Sequence, residues 1–229
     1  MPVRIADLNG NPYLGVFCKA VSTCIVCPAE STDELLTLAG DTLGLKAVRC
    51  SLGGTNLHGA LISSNSRGAI VPYFISTDEL LDALKQAGAM DDESDFRIVA
   101  SEDPVTAWGN NVLCSDKVAL VNPEVHKGSL KLIEDILGVE PVVGTIASVR
   151  TVGSVAAMNS KGMIVHPKAK PSEIERLKDL FGVDVQISTA NFGSPYLGAC
   201  MVANDKGCLV GNRTSGVELN RIENALDLF

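Results

Sequence analysis

Apolar positions along this chain recur in blocks. Five short runs, CIVCP (24–28), AIVPY (69–73), ALVNP (119–123), MIVHP (163–167) and CLVGN (208–212), align on Val26, Val71, Val121, Val165 and Val210 at strides of 45, 50, 44 and 45 residues. Each reads as a strand. Nine residues beyond each valine stand Leu35, Leu80, Leu130, Ile174 and Leu219, and three further on Leu38, Ala83, Ile133, Leu177 and Ile222. Two apolar columns three apart form one face of a helix. A glycine recurs upstream at Gly15, Gly59, Gly109, Gly153 and Gly198. Between glycine and valine, NSRG (65–68), SDKV (115–118), NSKG (159–162) and NDKG (204–207) suit tight hairpins. Each block is therefore strand, turn, strand, helix, strand, the helices opening at Ser31 with Glu34, Ser76 with Glu79, and Ser215 with Glu218 in capping-box spacing.

The last strands of the first four blocks are KAVRCSL, DFRIVAS, PVVGTIA and VDVQIST. The fifth block ends with its helix at Phe229, and the unassigned PVRIADL (2–8) has the length and β-branched character to complete it. A terminus that completes the last block closes a ring and removes exposed sheet edges. The expected fold is α+β: one domain, a closed ring of five ββαβ repeats with pseudo-five-fold symmetry, in units spanning about 11–52, 53–103, 104–149, 150–192 and 193–229 plus strand 2–8. Only the interval from Val71 to Val121 is longer, around the acidic AMDDESD (89–95), expected as a solvated loop.

Composition narrows the function. With 46% hydrophobic and 20% charged residues the chain lies outside the disorder regime, and no apolar run approaches the ~18 residues of a membrane helix. The start MPVRIADLNG has no signal-peptide pattern, so a cytoplasmic location is expected. The net charge of −8 opposes broad nucleic-acid binding and permits a basic protein partner. Seven cysteines, an odd count, fit free thiols better than a disulfide framework.

The repeats also supply an internal control. Cys24 and Cys208 share a column with Ala69, Ala119 and Met163, a small core position. The Cys24, Cys27 pair lacks the second pair of a zinc site. His58, His126 and His166 have no metal-spaced partners; His166, in a column with Cys27, Pro72, Asn122 and Gly211, is expected to be solvated, and Gly53 and Gly54 to turn the chain between units one and two. No cofactor or metal is expected. Trp108, the only tryptophan, is a packing residue or, if exposed, a binding anchor. Asn110 differs: the residues after the five glycines are Val16, Ala60, Asn110, Ser154 and Ala199, so packing does not explain an amide there.

The closed five-unit pattern resembles the pentein architecture. Within it, TAWGNNVLCSDKVALVNPE (106–124), GTIASVRTVGSVAAMNSKGMIVHP (144–167) and GACMVANDKGCLVGNRTSGVELNRIENAL (198–226) resemble the archaeal and eukaryotic translation initiation factor 6 family. The resemblance covers essentially the whole chain. It implies a monomeric, non-enzymatic factor that binds the large ribosomal subunit on its intersubunit face, mainly through basic ribosomal proteins with limited rRNA contact, and prevents joining of the small subunit. It further implies a part in late subunit maturation, and neither DNA nor membrane as partner. The asparagine of the family's A-x-G-N string lies at that contact, which here points to Trp108, Gly109 and Asn110. Lacking the polar tail of eukaryotic members, the chain looks archaeal. Because penteins also include guanidino-modifying enzymes with a nucleophilic cysteine at the central cavity, such an enzyme is the alternative.

Overall fold

The computed structural model describes residues 2–90 and 94–229. The acidic stretch at 89–95 thus lies partly outside the described residues. The chain opens with β1 (Val3–Ala6). Unit one follows as α1 (Leu14–Phe17), β2 (Lys19–Val21), β3 (Cys24–Pro28), α2 (Asp33–Leu43) and β4 (Lys46–Cys50). Unit two contains α3 (His58–Leu61), β5 (Ser63–Ser64), β6 (Gly68–Pro72), α4 (Thr77–Gln86) and β7 (Arg97–Ser101). Unit three is built from α5 (Trp108–Asn111), β8 (Val112–Cys114), β9 (Val118–Val121), α6 (Lys127–Leu137) and β10 (Glu140–Val143). Unit four has β11 (Ala156–Met158), β12 (Gly162–Val165), α7 (Pro171–Phe181) and β13 (Asp184–Ile187). Unit five has α8 (Leu197–Cys200), β14 (Met201–Ala203), β15 (Cys208–Gly211) and α9 (Gly216–Ala225).

These make five three-stranded sheets, each with an antiparallel hairpin and a parallel third strand, which in the first four units is reached through a helix. In unit five the third strand is β1, which pairs parallel to β15 in the register Val3 to Cys208. The N-terminal strand completes the fifth repeat, as its sequence suggests. The five aligned valines are all fully buried on the central strands. No unit closes its own core: Ile70 of unit two packs with Ile133 and Ile136 of unit three, and Ile164 of unit four with Ile222 and Leu226 of unit five. The helices therefore weld neighbours together, and burial is the main term holding the ring.

The recurring glycines explain how the inner wall fits. A Cβ on Gly59 would lie 2.0 Å from the carbonyl oxygen of Gly15, and the same relation runs from Gly109 to Gly59, Gly153 to Gly109, Gly198 to Gly153 and Gly15 to Gly198. This cycle returns to its start, which closes the ring. Only a residue without a side chain permits the approach.

Several expectations need correction. The glycines of units one, two, three and five lie in one-turn helices, leaving first strands of only two or three residues. The close glycine approach demands compact backbone where an extended strand was expected. In unit one the N-cap is Thr32, whose Oγ1 accepts from the Leu35 N–H at 3.2 Å, not Ser31. That later start leaves Leu38 half-buried and puts Ala39 in the core. Ser76 caps α4, but Glu79 accepts from the Gly53 N–H instead of closing the box. Ser215 and Glu218 form the full reciprocal box.

His58 and His166 are buried, while His126 is exposed. The column holding His58 reads Leu14, His58, Trp108, Val152 and Leu197, all fully buried. Burial pushes the His58 imidazole down to about 4 and also lowers His166.

Candidate functional site

The topology gives the ring two unlike ends. Hairpin tips and helix C-termini occupy one. The turns linking consecutive units, the helix N-termini and the one-turn helices occupy the other. At that second end Leu8 pairs with Asn11, Leu52 with Thr55, Ile146 with Val149 and Ala190 with Ser194, each closing a tight turn. Gly53 and Gly54 have φ of +58° and +69°, and so they turn the chain between units as expected.

Helix N-terminal carboxylates clamp these turns. Glu218 accepts from the N–H groups of Phe192 and Gly193 and from the Thr189 hydroxyl at 2.7 Å. Glu173 accepts from the Ala147 N–H at 3.0 Å. In unit three the acid moves to the turn, where Asp103 accepts from the His126 N–H and the Ser129 hydroxyl. Burial pushes the Glu218 carboxyl up, but its hydrogen bonds outweigh that and hold it below the usual range. Anchored in this way, the turns form a firm platform.

The platform exposes apolar side chains. Tyr13, Leu57 and Tyr196 stand at the starts of one-turn helices, Phe192 is 85% exposed on its turn, and Tyr73 meets Phe74 edge to face at 5.5 Å beside Gly53. Aromatic residues gathered on one face are the composition of protein interfaces. Tyr13, Leu57 and Tyr196 share one column, two residues before the recurring glycine, but Ala107 and Thr151 interrupt it, and Tyr73, Phe74 and Phe192 lie outside it. They converge only once the turns are known to share one end.

Asn110 lies on α5 at the same end, half-buried, with its backbone N–H donating to Ala107 and its carbonyl accepting from Gly153. Its side-chain amide makes no hydrogen bond among the described residues. The neighbouring Asn111 is fully engaged: its Nδ2 donates to the Ala107 carbonyl at 2.7 Å, and its Oδ1 accepts from Asn122 at 2.6 Å. The turn is thus capped by Asn111, and Asn110 is free of structural duty. Gly109 is buried in the glycine ring. Trp108 is fully buried in the unit-three core with its indole N–H unpaired, so it cannot serve as an exposed anchor and instead holds α5 from beneath.

The ring also encloses a central cavity of about 260 Å³. Its walls carry the glycines and Lys19, Ser64, Cys114, Met158 and Ala203 from the first strands of the five units, together with Asn110. No histidine or carboxylate lines it. Desolvation pushes the Cys114 thiol up to about 12, the wrong direction for a nucleophile. The Lys19 charge would repel a guanidinium. Cys24 and Cys208 are fully buried and unpaired, which is the packing reading of their column. No group of three potential metal ligands occurs among the described residues, and no described helix is long and apolar enough to cross a membrane.

A family model described as the eIF-6 family matches residues 3–225. The chain is 37% identical over 223 residues to translation initiation factor 6 of Picrophilus torridus, covering 97% of this chain and 98% of that protein. The namesake protein of Pyrococcus abyssi is 36% identical over 232 residues, with both chains fully covered. That of Methanocaldococcus jannaschii is 37% identical over 222 residues, with 96% of each chain covered. A match across five buried cores, from the first strand to the last helix, leaves no unit outside the relationship, and the chain belongs to the eIF-6 family.

Proposed function

We propose that this chain binds the large ribosomal subunit through the end of the ring bearing Asn110 and the exposed aromatic residues, and thereby blocks joining of the small subunit. The observation that carries the reading is the unspent amide of Asn110, set beside a neighbour of the same type that the fold fully uses. The family relationship supplies the translational setting. A net charge of −8 favours basic ribosomal protein as the main contact, rRNA being secondary, and steers encounter with it. Gly109 and the buried Trp108 hold Asn110 in place. The protein acts as a single-domain monomer in the cytoplasm, and occlusion by a rigid body requires no catalysis.

Sedimentation with isolated archaeal large subunits tests this. The protein is expected to cosediment with them and to lower subunit association at limiting magnesium. Failure to cosediment would sink the reading. Asn110→Ser should weaken binding about tenfold, the value of one or two lost hydrogen bonds, while shifting Tm by less than a few degrees. Unchanged affinity would remove Asn110 from the contact.

A further inference from the structure

The central cavity contains donors that the protein does not use. Among the described residues Lys19 is the only charged one lining it, meets no carboxylate, and has the Cys114 thiol as its one electrostatic neighbour. On the first strands of the next two units the polar groups of the wall are spent: the Ser64 hydroxyl donates to the Ala20 carbonyl at 3.1 Å, and the Cys114 thiol to the Ser115 carbonyl at 3.1 Å. One further lining residue is unspent: the side-chain amide of Asn110 has no partner among the described residues.

A half-buried ammonium without a counter-ion is costly. Such groups persist where something else completes them. The glycine carbonyls do not fill this role, because the Cα of the next glycine packs against each one.

We propose that the central cavity is a binding site for a small oxyanion of the phosphate or carboxylate class, with Lys19 supplying the charge and Asn110 a neutral donor. A volume of about 260 Å³ admits inorganic phosphate or a short carboxylic acid. A bound anion would return Lys19 toward its ordinary basicity, reversing the lowering that burial imposes. Charge also sets selectivity: a cation on the wall disfavours metal ions and amines. The site shares Asn110 with the ribosome reading, but its charge comes from Lys19, on β2 inside the ring, which that reading does not use, so Lys19 variants and Asn110 variants test the two separately.

Melting the full chain at constant ionic strength tests the site, with chloride replaced stepwise by inorganic phosphate or, separately, by acetate. At least one oxyanion should raise Tm by a few degrees in a saturable way and slow alkylation of Cys114, which lines the cavity. Cys50, a half-exposed thiol outside it, serves as the internal control. Lys19→Met should abolish both effects and Lys19→Arg should retain them. The methionine has precedent at Met158, so the variant is expected to fold. If neither oxyanion acts beyond chloride, or if Lys19→Met responds as fully as the parent, the site does not exist. Whichever anion acts assigns the class.

Discussion

Asn204, in the hairpin of unit five, donates its side-chain amide to the carbonyl of Leu43 at the end of the unit-one helix, 2.7 Å away across 161 residues of sequence. Asn65 makes the same contact with Leu137 at 2.8 Å, and Asn159 with Leu226 at 2.8 Å. Each ties a hairpin to the helix end of the next unit, and the Asn204 bond joins the two ends of the chain. The equivalent residue in unit three is Ser115, which holds its own turn by accepting from Lys117 and Val118. A serine can therefore keep this turn.

Asn204→Ser should keep the hairpin and lose the clasp, leaving the part-buried Leu43 carbonyl unpaired. The expected cost is about 1–2 kcal/mol. Urea unfolding should show a lower midpoint with an unchanged slope, and hydrogen exchange should rise first at the junction of β1, β15 and α2. A midpoint equal to that of the parent would show that the junction rests on apolar packing alone.

Much of this architecture is legible in the sequence, for a physical reason. A position buried in five equivalent places repeats its apolar character five times, so the valine column and the helix faces emerge without alignment to any other protein. The His58 column was equally legible, since Leu14, Trp108, Val152 and Leu197 surround the histidine with apolar counterparts. Burial of His58 is thus written in its apolar counterparts, whereas the His166 column of Cys27, Pro72, Asn122 and Gly211 is mixed and does not announce the burial found there. The one-turn helices are different. They follow from contact between glycines of neighbouring units, a relation no single unit encodes. The exposed aromatic face was hidden for the same reason, because convergence of turns is a property of the assembled ring.

Burial of His58 makes stability depend on pH. Its folded pKa of about 4 lies below the ordinary 6.5, so between these values the unfolded chain takes up the proton first. Stability therefore falls as pH drops from about 6.5 to about 4, by about 3 kcal/mol in total. His58→Leu, the residue type found at Leu14 and Leu197, should remove this component. Urea midpoints at pH 7 and pH 5 measure it: the parent should lose stability over that interval and the variant should lose clearly less. Parallel curves would mean that the imidazole charges without cost.

Glu218 acts lower on the pH scale. Its carboxylate accepts from Ser215, Thr189, Phe192 and Gly193, and its pKa is held down on balance. The stability it contributes is present above the unfolded pKa of about 4.3 and is lost as pH falls through the folded value. Glu218→Gln should cost about 2 kcal/mol at pH 7, because charge-assisted bonds become neutral ones. The difference between variant and parent should shrink below about pH 4. Denaturant unfolding at pH 7 and pH 3.5 checks both expectations, and a gap that stays constant would assign the cost to shape and not to charge.

The same substitution at two glycines should move stability in opposite directions. On Gly109 a Cβ would fall 2.0 Å from the Gly59 carbonyl oxygen and 2.7 Å from that of Ile62, both backbone atoms that cannot step aside without opening the ring. Gly109→Ala should cost about 3 kcal/mol or more. Gly128 lies in the first turn of α6, where an added Cβ meets nothing within 4 Å. Gly128→Ala should stabilise by roughly 0.5–1 kcal/mol, because alanine loses less backbone freedom on entering a helix. Thermal unfolding of the two variants beside the parent separates the causes. If both destabilise, the glycine column reflects a general intolerance of added bulk; if Gly109→Ala alone does, the ring is held shut by contact between backbones, and no side chain can substitute there.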